Sequence, residues 1–190
     1  MTEDELVAIA AESAAVQQAF VARNAGLLCS VGQRLVEAFA AGGKLLAFGN
    51  GGSASDAQHL VAELVGRYER DRAGIPAIAL TTDAAVVTAV SNDLGYAEVF
   101  RRQVEALGRP GDVAFGITTS GRSANVVLAL RCARERGLHT IGLTGRGGGE
   151  LGGLVHDLID VRSGSTARIQ EVHGLVIHLL CQIVEDAQLA

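Results

Sequence analysis

The chain has 190 residues, 48% of them apolar, and a formal net charge of −5 at pH 7. A chain of that length buries about two-thirds of its unfolded surface in one core, so one domain over residues 1–190 is expected. The acidic balance, with no Lys/Arg run longer than Arg101-Arg102, excludes a basic footprint for nucleic acid or for an anionic membrane.

From Leu6 to Ala40 apolar residues recur at steps of three and four (Leu6, Ile9, Val16, Phe20, then Leu27, Leu28, Val31, Leu35, Phe39). This pattern predicts two helices before the first strand, stopped at Gly42-Gly43. Alternation follows: a strand at LLAFG, a helix through Val65, a strand at PAIAL, a helix around Ala84–Val90 and another from about Tyr96 to Leu107. Then come a strand at VAFGITT, a helix from Ser123 to Arg136, and strands at TIGLTG and LIDV. Continuous apolar runs of this kind are parallel strands covered on both faces, so the expected fold class is α/β, a doubly wound parallel sheet flanked by helices. A last helix runs from about Thr166 to Asp186, with no linker or charge block to mark a boundary. The N-terminal helices, residues 1–41, carry more apolar face than a small sheet can cover, which predicts a helix-mediated homo-oligomer around a ligand-binding core at 42–190.

Glu3, Asp4 and Glu5 stand where a signal peptide would need positive charge, and the longest apolar stretch, VHGLVIHLLCQIV, is short and broken by two His. A cytoplasmic protein is expected. Cys29, Cys132 and Cys181 are odd in number and lie among apolar residues, which reads as buried free thiols in a reducing compartment.

The stretch GNGGSASDAQH, residues 49–59, follows the first strand and opens a helix. In an open α/β sheet ligands lie beyond the carboxyl ends of the strands, where such a loop offers backbone N–H groups and a positive dipole end to an anion. The spacing Gly49, Gly51, Ala54 satisfies a dinucleotide fingerprint, but the acid that should end the second strand for ribose binding is misplaced, and a phosphate loop of the Lys type has no Lys here. A dinucleotide turn, a cradle for another phosphate ligand and a purely structural turn all remain readings of this loop. A second loop favours the phosphate: Thr118, Thr119, Ser120 and Ser123 crowd around Gly121 after the VAFGI strand. Helix capping needs fewer hydroxyls than that, although Ser123 alone reads most simply as an N-cap. Hydroxyls and first-turn N–H groups without Lys or Mg²⁺ suit a phosphomonoester.

AGGKLLAFGNGGSASDAQHLVAELVGR (41–67), SND (91–93), GDVAFGITTSGRSANV (111–126), TGRGGGEL (144–151) and ARIQEVHGLVIH (167–178), in this order and spacing, closely resemble the SIS-domain sedoheptulose 7-phosphate isomerase family. The resemblance implies a homotetrameric, flavodoxin-like enzyme that interconverts sedoheptulose 7-phosphate and D-glycero-D-manno-heptose 7-phosphate, the first step toward nucleotide-activated heptose. It implies sugar contacts from Asn50, Gly51, Gly52, Ser53 and Asp93, and a phosphate cradle from Thr118, Thr119, Ser120 and Ser123. Gln170 would be an active-site ligand, Glu63 and His178 the catalytic acid–base pair, and His59, Glu63, Gln170 and His178 the zinc ligands. Glu63 would touch substrate as well. The chain departs from the family at Thr118, where some relatives have Ser, at Arg122, where Asn is common, and at Ala167, where some have an active-site Asp. The alternative is a non-catalytic SIS regulator such as the adaptor that binds the replication initiator DnaA, in which the Glu and the terminal His of the pair are replaced; here both stand, as Glu63 and His178.

The residues bear this chemistry on their own terms. His59 and Glu63 are four apart and share a helix face, although such a pair on a solvated face is common. Gln170 and His178 are eight apart, about 80° around the last helix, and a His among LVIHLL is often only a core histidine. Aldose–ketose isomerisation moves a proton between two carbons and another between two oxygens, which two positioned acid–base groups accomplish. A zinc ion among these side chains would polarise the carbonyl. His139 and His156 read as structural, and His173, one turn from Gln170, as a candidate to orient a ligand.

Overall fold

The computed structural model describes residues 1–188. Thr2 opens the first helix through a capping box with Glu5, and Glu3, Asp4 and Glu5 place negative charge at its positive end. The result is one helix of 38 residues, α1 (Glu3–Ala40), where the periodicity predicts two. No proline interrupts the chain between the two apolar stripes, and an internal glycine such as Gly26, with open space around it, costs a helix only about 1 kcal/mol.

The elements that follow are β1 (Leu45–Gly49), α2 (Gly52–Val65), β2 (Ala77–Ala79), α3 (Ala84–Leu94), a 3₁₀ turn at Tyr96–Glu98 and α4 (Val99–Leu107). The chain continues with β3 (Val113–Thr118), α5 (Ala124–Glu135), β4 (His139–Gly145), a second 3₁₀ turn at Gly149–Gly153, β5 (Asp157–Val161) and α6 (Thr166–Gln188). All strands are parallel in the order β2-β1-β3-β4-β5, with Leu45 opposite Val113 and Val113 opposite His139. This is the expected doubly wound sheet.

Because side chains alternate along a strand, each strand feeds two cores. Leu45 and Ala47 join Phe115, Ile141, Leu60 and Val176 under α1, α2 and α6. Leu46 and Phe48 join Phe100, Ala114 and Leu130 under α4 and α5. Truncating a buried aromatic such as Phe115, 0% exposed, to Ala removes about 3–5 kcal/mol of stability. β1 leads to β2 on one side and pairs with β3 on the other, so the sheet reverses its winding between β1 and β3, and the crevice at their carboxyl ends is where ligands bind in such folds.

The cysteines depart from expectation. Cys181 is buried, but Cys132 is half-buried and Cys29 is exposed, because one step along a helix turns a side chain by about 100° and carries Cys29 off the stripe that buries Leu28 and Val31. None of the described helices is long and apolar enough to cross a membrane.

Candidate active site

Gly49 closes β1 where a Cβ would lie 2.7 Å from the Ser53 carbonyl and 2.8 Å from that of Ile117, so only glycine lets the loop turn this tightly against β3. Gly51, at φ 57°, then reverses the backbone, and α2 begins with no side chain capping it. The N–H groups of Ser53, Ala54 and Ser55 turn back onto the Asn50 and Gly51 carbonyls, so what the turn offers an anion is the positive end of the helix dipole. Asn50, Gly51 and Gly52 form the rim of this turn, and Ser53 is buried beneath it.

At the end of β3, Thr118 Oγ1 lies 2.9 Å from Ser123 Oγ and 3.4 Å from Ser120 Oγ, with Thr119 half-buried beside them. Ser123 occupies the N-cap position of α5 yet makes no capping hydrogen bond. Its hydroxyl turns to Thr118 instead, so the plain capping reading does not hold and the hydroxyls gather into one cluster. Gly121, at φ 64°, would drive a Cβ to 2.1 Å from the Gly148 carbonyl, and its own carbonyl accepts from the Glu150 N–H at 3.0 Å. The TGRGGGEL loop thus buttresses the cradle from behind.

Between α2 and α6 lie His59, Glu63 and His178, each offering one ligand atom within 4.8 Å of the others. His59 Nε2 is 3.3 Å from Glu63 Oε1 and 3.2 Å from His178 Nε2, and the two rings meet edge to face at 4.9 Å. Two imidazole nitrogens that face each other this closely require a proton or a cation between them. Gln170 is two turns earlier on α6, and its amide lies against the rim: a Cβ on Gly52 would stand 2.3 Å from its Nε2. The fold therefore brings three of the four candidate ligands together and turns the fourth toward the glycine turn. Asp93 is exposed near the end of α3, where Asn92 donates to it at 2.7 Å, and among the described residues no hydrogen bond joins it to either loop. Ala167 is exposed in the first turn of α6.

His173 is fully buried, its Nε2 3.1 Å from the Thr144 carbonyl. It ties α6 to β4 and is not hydrogen-bonded to the histidine pair. Burial, only partly opposed by that bond, pushes its pKa down to about 4. His139 and His156 lie where β4 and β5 begin, bonded to Asp157 and Thr140.

Several residues that sequence reasoning passed over belong to the site. Asn125, 4% exposed, exchanges two hydrogen bonds of 2.9 Å with Asn50, and the Tyr96 hydroxyl donates to Asn50 Oδ1 at 2.9 Å. The available signal was one amide on the otherwise apolar face of α5. Asp56, one turn before His59, has its carboxyl pushed up to about 6 by burial, with His59 pulling the other way, and its Oδ2 is buried without a partner. Tyr68 packs on His178 with ring centroids 5.8 Å apart. Its segment is pinned by the fully buried Glu185, which accepts from the N–H groups of Tyr68, Glu69 and Arg70.

An open parallel sheet with a glycine turn and a hydroxyl cluster at its reversal point defines a doubly wound ligand-binding domain, and residues 10–145 match the SIS domain family. Phosphoheptose isomerases are similar over nearly the whole chain. That of Roseiflexus sp. is 55% identical, covering 90% of this chain and 86% of that protein, and that of Paramagnetospirillum magneticum is 54% identical over 96% and 93%. The structure of phosphoheptose isomerase GmhA from Neisseria gonorrhoeae superposes with a TM-score of 0.91 at 42% identity, covering 97% of this chain and 98% of that one. The phosphoheptose isomerase of Francisella tularensis gives 0.93 at 36% identity, over 98% and 100%. The chain belongs to the phosphoheptose isomerase family of SIS domain proteins.

Proposed function

We propose that this protein interconverts sedoheptulose 7-phosphate and D-glycero-D-manno-heptose 7-phosphate by proton transfer, with Glu63 and His178 as its acid–base pair. The observation that carries the reading is the convergence of His59, Glu63 and His178 within 4.8 Å on the flank of the helix that the glycine turn opens. Thr118, Thr119, Ser120 and Ser123 hold the phosphate, neutralised by N–H groups of α5 rather than by a cation. Asn50, Gly51, Gly52, Ser53 and Gln170 line the sugar chain, and Asp93 closes on it from α3. Glu63 removes the proton from the carbon next to the carbonyl and returns it to the neighbouring carbon, while His178 moves the second proton between the two oxygens.

Two imidazoles and a carboxylate suit a divalent transition metal, zinc above all, and His59, Glu63 and His178 would hold it, with Gln170 as a fourth donor if its amide turns from Gly52. Such an ion polarises the carbonyl and stabilises developing negative charge on oxygen. Homotetramer formation is the accompanying proposal, supported by Leu6 and Val7, 55% and 69% exposed on α1; light scattering that gives a monomer at micromolar concentration overturns it.

The test is incubation with sedoheptulose 7-phosphate, with aldoheptose phosphate followed by NMR. Turnover supports the assignment. No turnover with or without added Zn²⁺ moves the protein to the non-catalytic adaptors.

A further inference from the structure

The glycine turn and the hydroxyl cradle leave different strands, yet one side chain joins them. Asn125 Oδ1 accepts from the Val126 N–H at 3.0 Å, which fixes that atom as the oxygen and leaves the Asn125 amide N–H to donate to Asn50 Oδ1. Asn50 Oδ1 accepts a second bond from Tyr96. The first turn of α5, the rim of the glycine turn and the 3₁₀ turn before α4 therefore meet at one amide pair with a defined polarity, shielded from water on the Asn125 side. An apolar residue at 125 would leave the Asn50 amide N–H without its acceptor and Asn50 Oδ1 with Tyr96 alone.

We propose that Asn125 is a positioning residue for the isomerisation: it sets the distance and angle between the sugar-contacting turn and the phosphate cradle, so that a substrate held by its phosphate presents its reacting carbons to Glu63. The proposal rests on the reading that both loops hold one sugar phosphate. A displacement of about 1 Å at the reacting atoms costs up to about 10²-fold in rate, so a linkage remote from the chemistry has a kinetic signature.

The test is Asn125→Leu, which conserves volume, measured in three ways. With sedoheptulose 7-phosphate, kcat/KM is expected to fall about 10- to 100-fold with a drop in kcat itself, while inhibition by inorganic phosphate, which needs only the cradle, changes less than about 3-fold. Hydrogen exchange in the peptide spanning residues 49–55 is expected to accelerate about 10-fold while the body of α5 stays protected. Tyr96→Phe, which removes only the outer bond, is expected to cost less and to be non-additive with Asn125→Leu, because both act through Asn50 Oδ1. A lower melting temperature with unchanged kcat/KM makes Asn125 merely structural and overturns the proposal, as does phosphate inhibition weakened in step with KM, or full additivity of the two variants. The exchange measurement needs no turnover: a wild-type protein inert toward sedoheptulose 7-phosphate overturns the isomerase reading, whereas unaltered exchange in the variant overturns the linkage.

Discussion

Two histidine pairs, one between α2 and α6 and one where β4 and β5 begin, have nearly the same ring separation, 4.9 Å for His59 and His178 and 4.8 Å for His139 and His156. Their surroundings make them different objects. His139 and His156 are stacked, with His139 Nε2 2.6 Å from Asp157 and His156 Nδ1 accepting from the Thr140 N–H at 3.0 Å. Each has a ring nitrogen engaged by a fixed partner at the edge of the sheet where strands begin. His59 and His178 stand edge to face with their Nε2 atoms turned on one another and that of His59 also on Glu63, leaving bonding capacity for a cation, a proton or a substrate oxygen. What a histidine does is written in what its nitrogens meet, and substitutions at the two pairs should separate accordingly.

The largest effect is expected at the α2–α6 pair. Glu63→Gln keeps shape but removes the proposed base, so kcat should fall about 10²- to 10⁴-fold, and His178→Gln should fall comparably. The double variant should be little worse than the worse single one, because the reaction fails when either proton transfer is lost. Metal content must be measured in each, since either change would remove a proposed ligand. With metal and substrate both bound, Glu63→Gln should stop the C–H next to the carbonyl from exchanging with D₂O; exchange at the native rate would assign the base to another residue. His139→Gln should leave kcat within about 2-fold, and a loss rivalling that of His178→Gln would erase the contrast between the pairs.

His173 sharpens the comparison from a third position, since it is fully buried and has one nitrogen without a partner. Its pKa of about 4 in the fold lies below the unfolded value near 6.5. A depressed histidine contributes stability that is complete above the unfolded pKa and is lost as pH falls toward the folded one. Between pH 7 and 4.5 this amounts to roughly 2–3 kcal/mol. Denaturant melts of His173→Gln, which can still donate to Thr144, should show a pH slope shallower by that amount; an unchanged slope would place the acid sensitivity elsewhere.

The sheet was legible because buried parallel strands are unbroken apolar runs: LLAFG and TIGLTG fall inside β1 and β4. Both loops were legible because glycine and hydroxyl residues cluster where strands end. The single α1 was not, since a shift in the phase of the apolar stripe resembles a break when no neighbouring helix is in view. Nor was Asn125, whose partner Asn50 is 75 residues away and which reads, next to Ser123, as part of a cap. Gln170 and His178 were readable as neighbours on one helix, but not that the first would face Gly52 and the second His59, because that depends on how α6 packs along α2.

A smaller effect separates the cradle from the acid–base pair. Ser120→Ala and Ser123→Ala each remove one hydroxyl from the proposed phosphate cradle, a loss of about 1.5–3 kcal/mol for a bond to a charged ligand. This should be felt chiefly in KM, because a phosphate remote from the reacting carbons is held alike in ground and transition states. Some fall in kcat is compatible with this, since remote binding energy also aligns the substrate. Unchanged phosphate-dependent binding in both variants would move the cradle away from Thr118–Ser123.

The smallest effect is expected at His156, and it tests the structural half of the comparison directly. Its Nδ1 accepts from both the N–H and the hydroxyl of Thr140, at 3.0 and 2.8 Å, while the His156 backbone N–H donates to the same hydroxyl at 3.1 Å, so ring and backbone together stitch the start of β4 to the turn before β5. Loss of water around the ring, followed by the neighbouring His139, lowers its pKa, as a nitrogen that must stay an acceptor requires. His156→Ala removes the acceptor and should cost about 1 kcal/mol with kcat unchanged. His156→Asn carries an oxygen to nearly the position of Nδ1 and should recover much of that loss, since the backbone N–H of Thr140 regains a partner. The sign of the pH effect follows: the wild-type advantage over His156→Asn is present above the unfolded histidine pKa and fades as pH falls below it, because protonation at Nδ1 abolishes the acceptor while the Asn oxygen does not titrate. Urea melts of the three proteins at pH 7.5 and 5.5 measure this, and equal losses for Ala and Asn at both pH values would show that the ring is held by stacking on His139 rather than by the hydrogen bonds to Thr140.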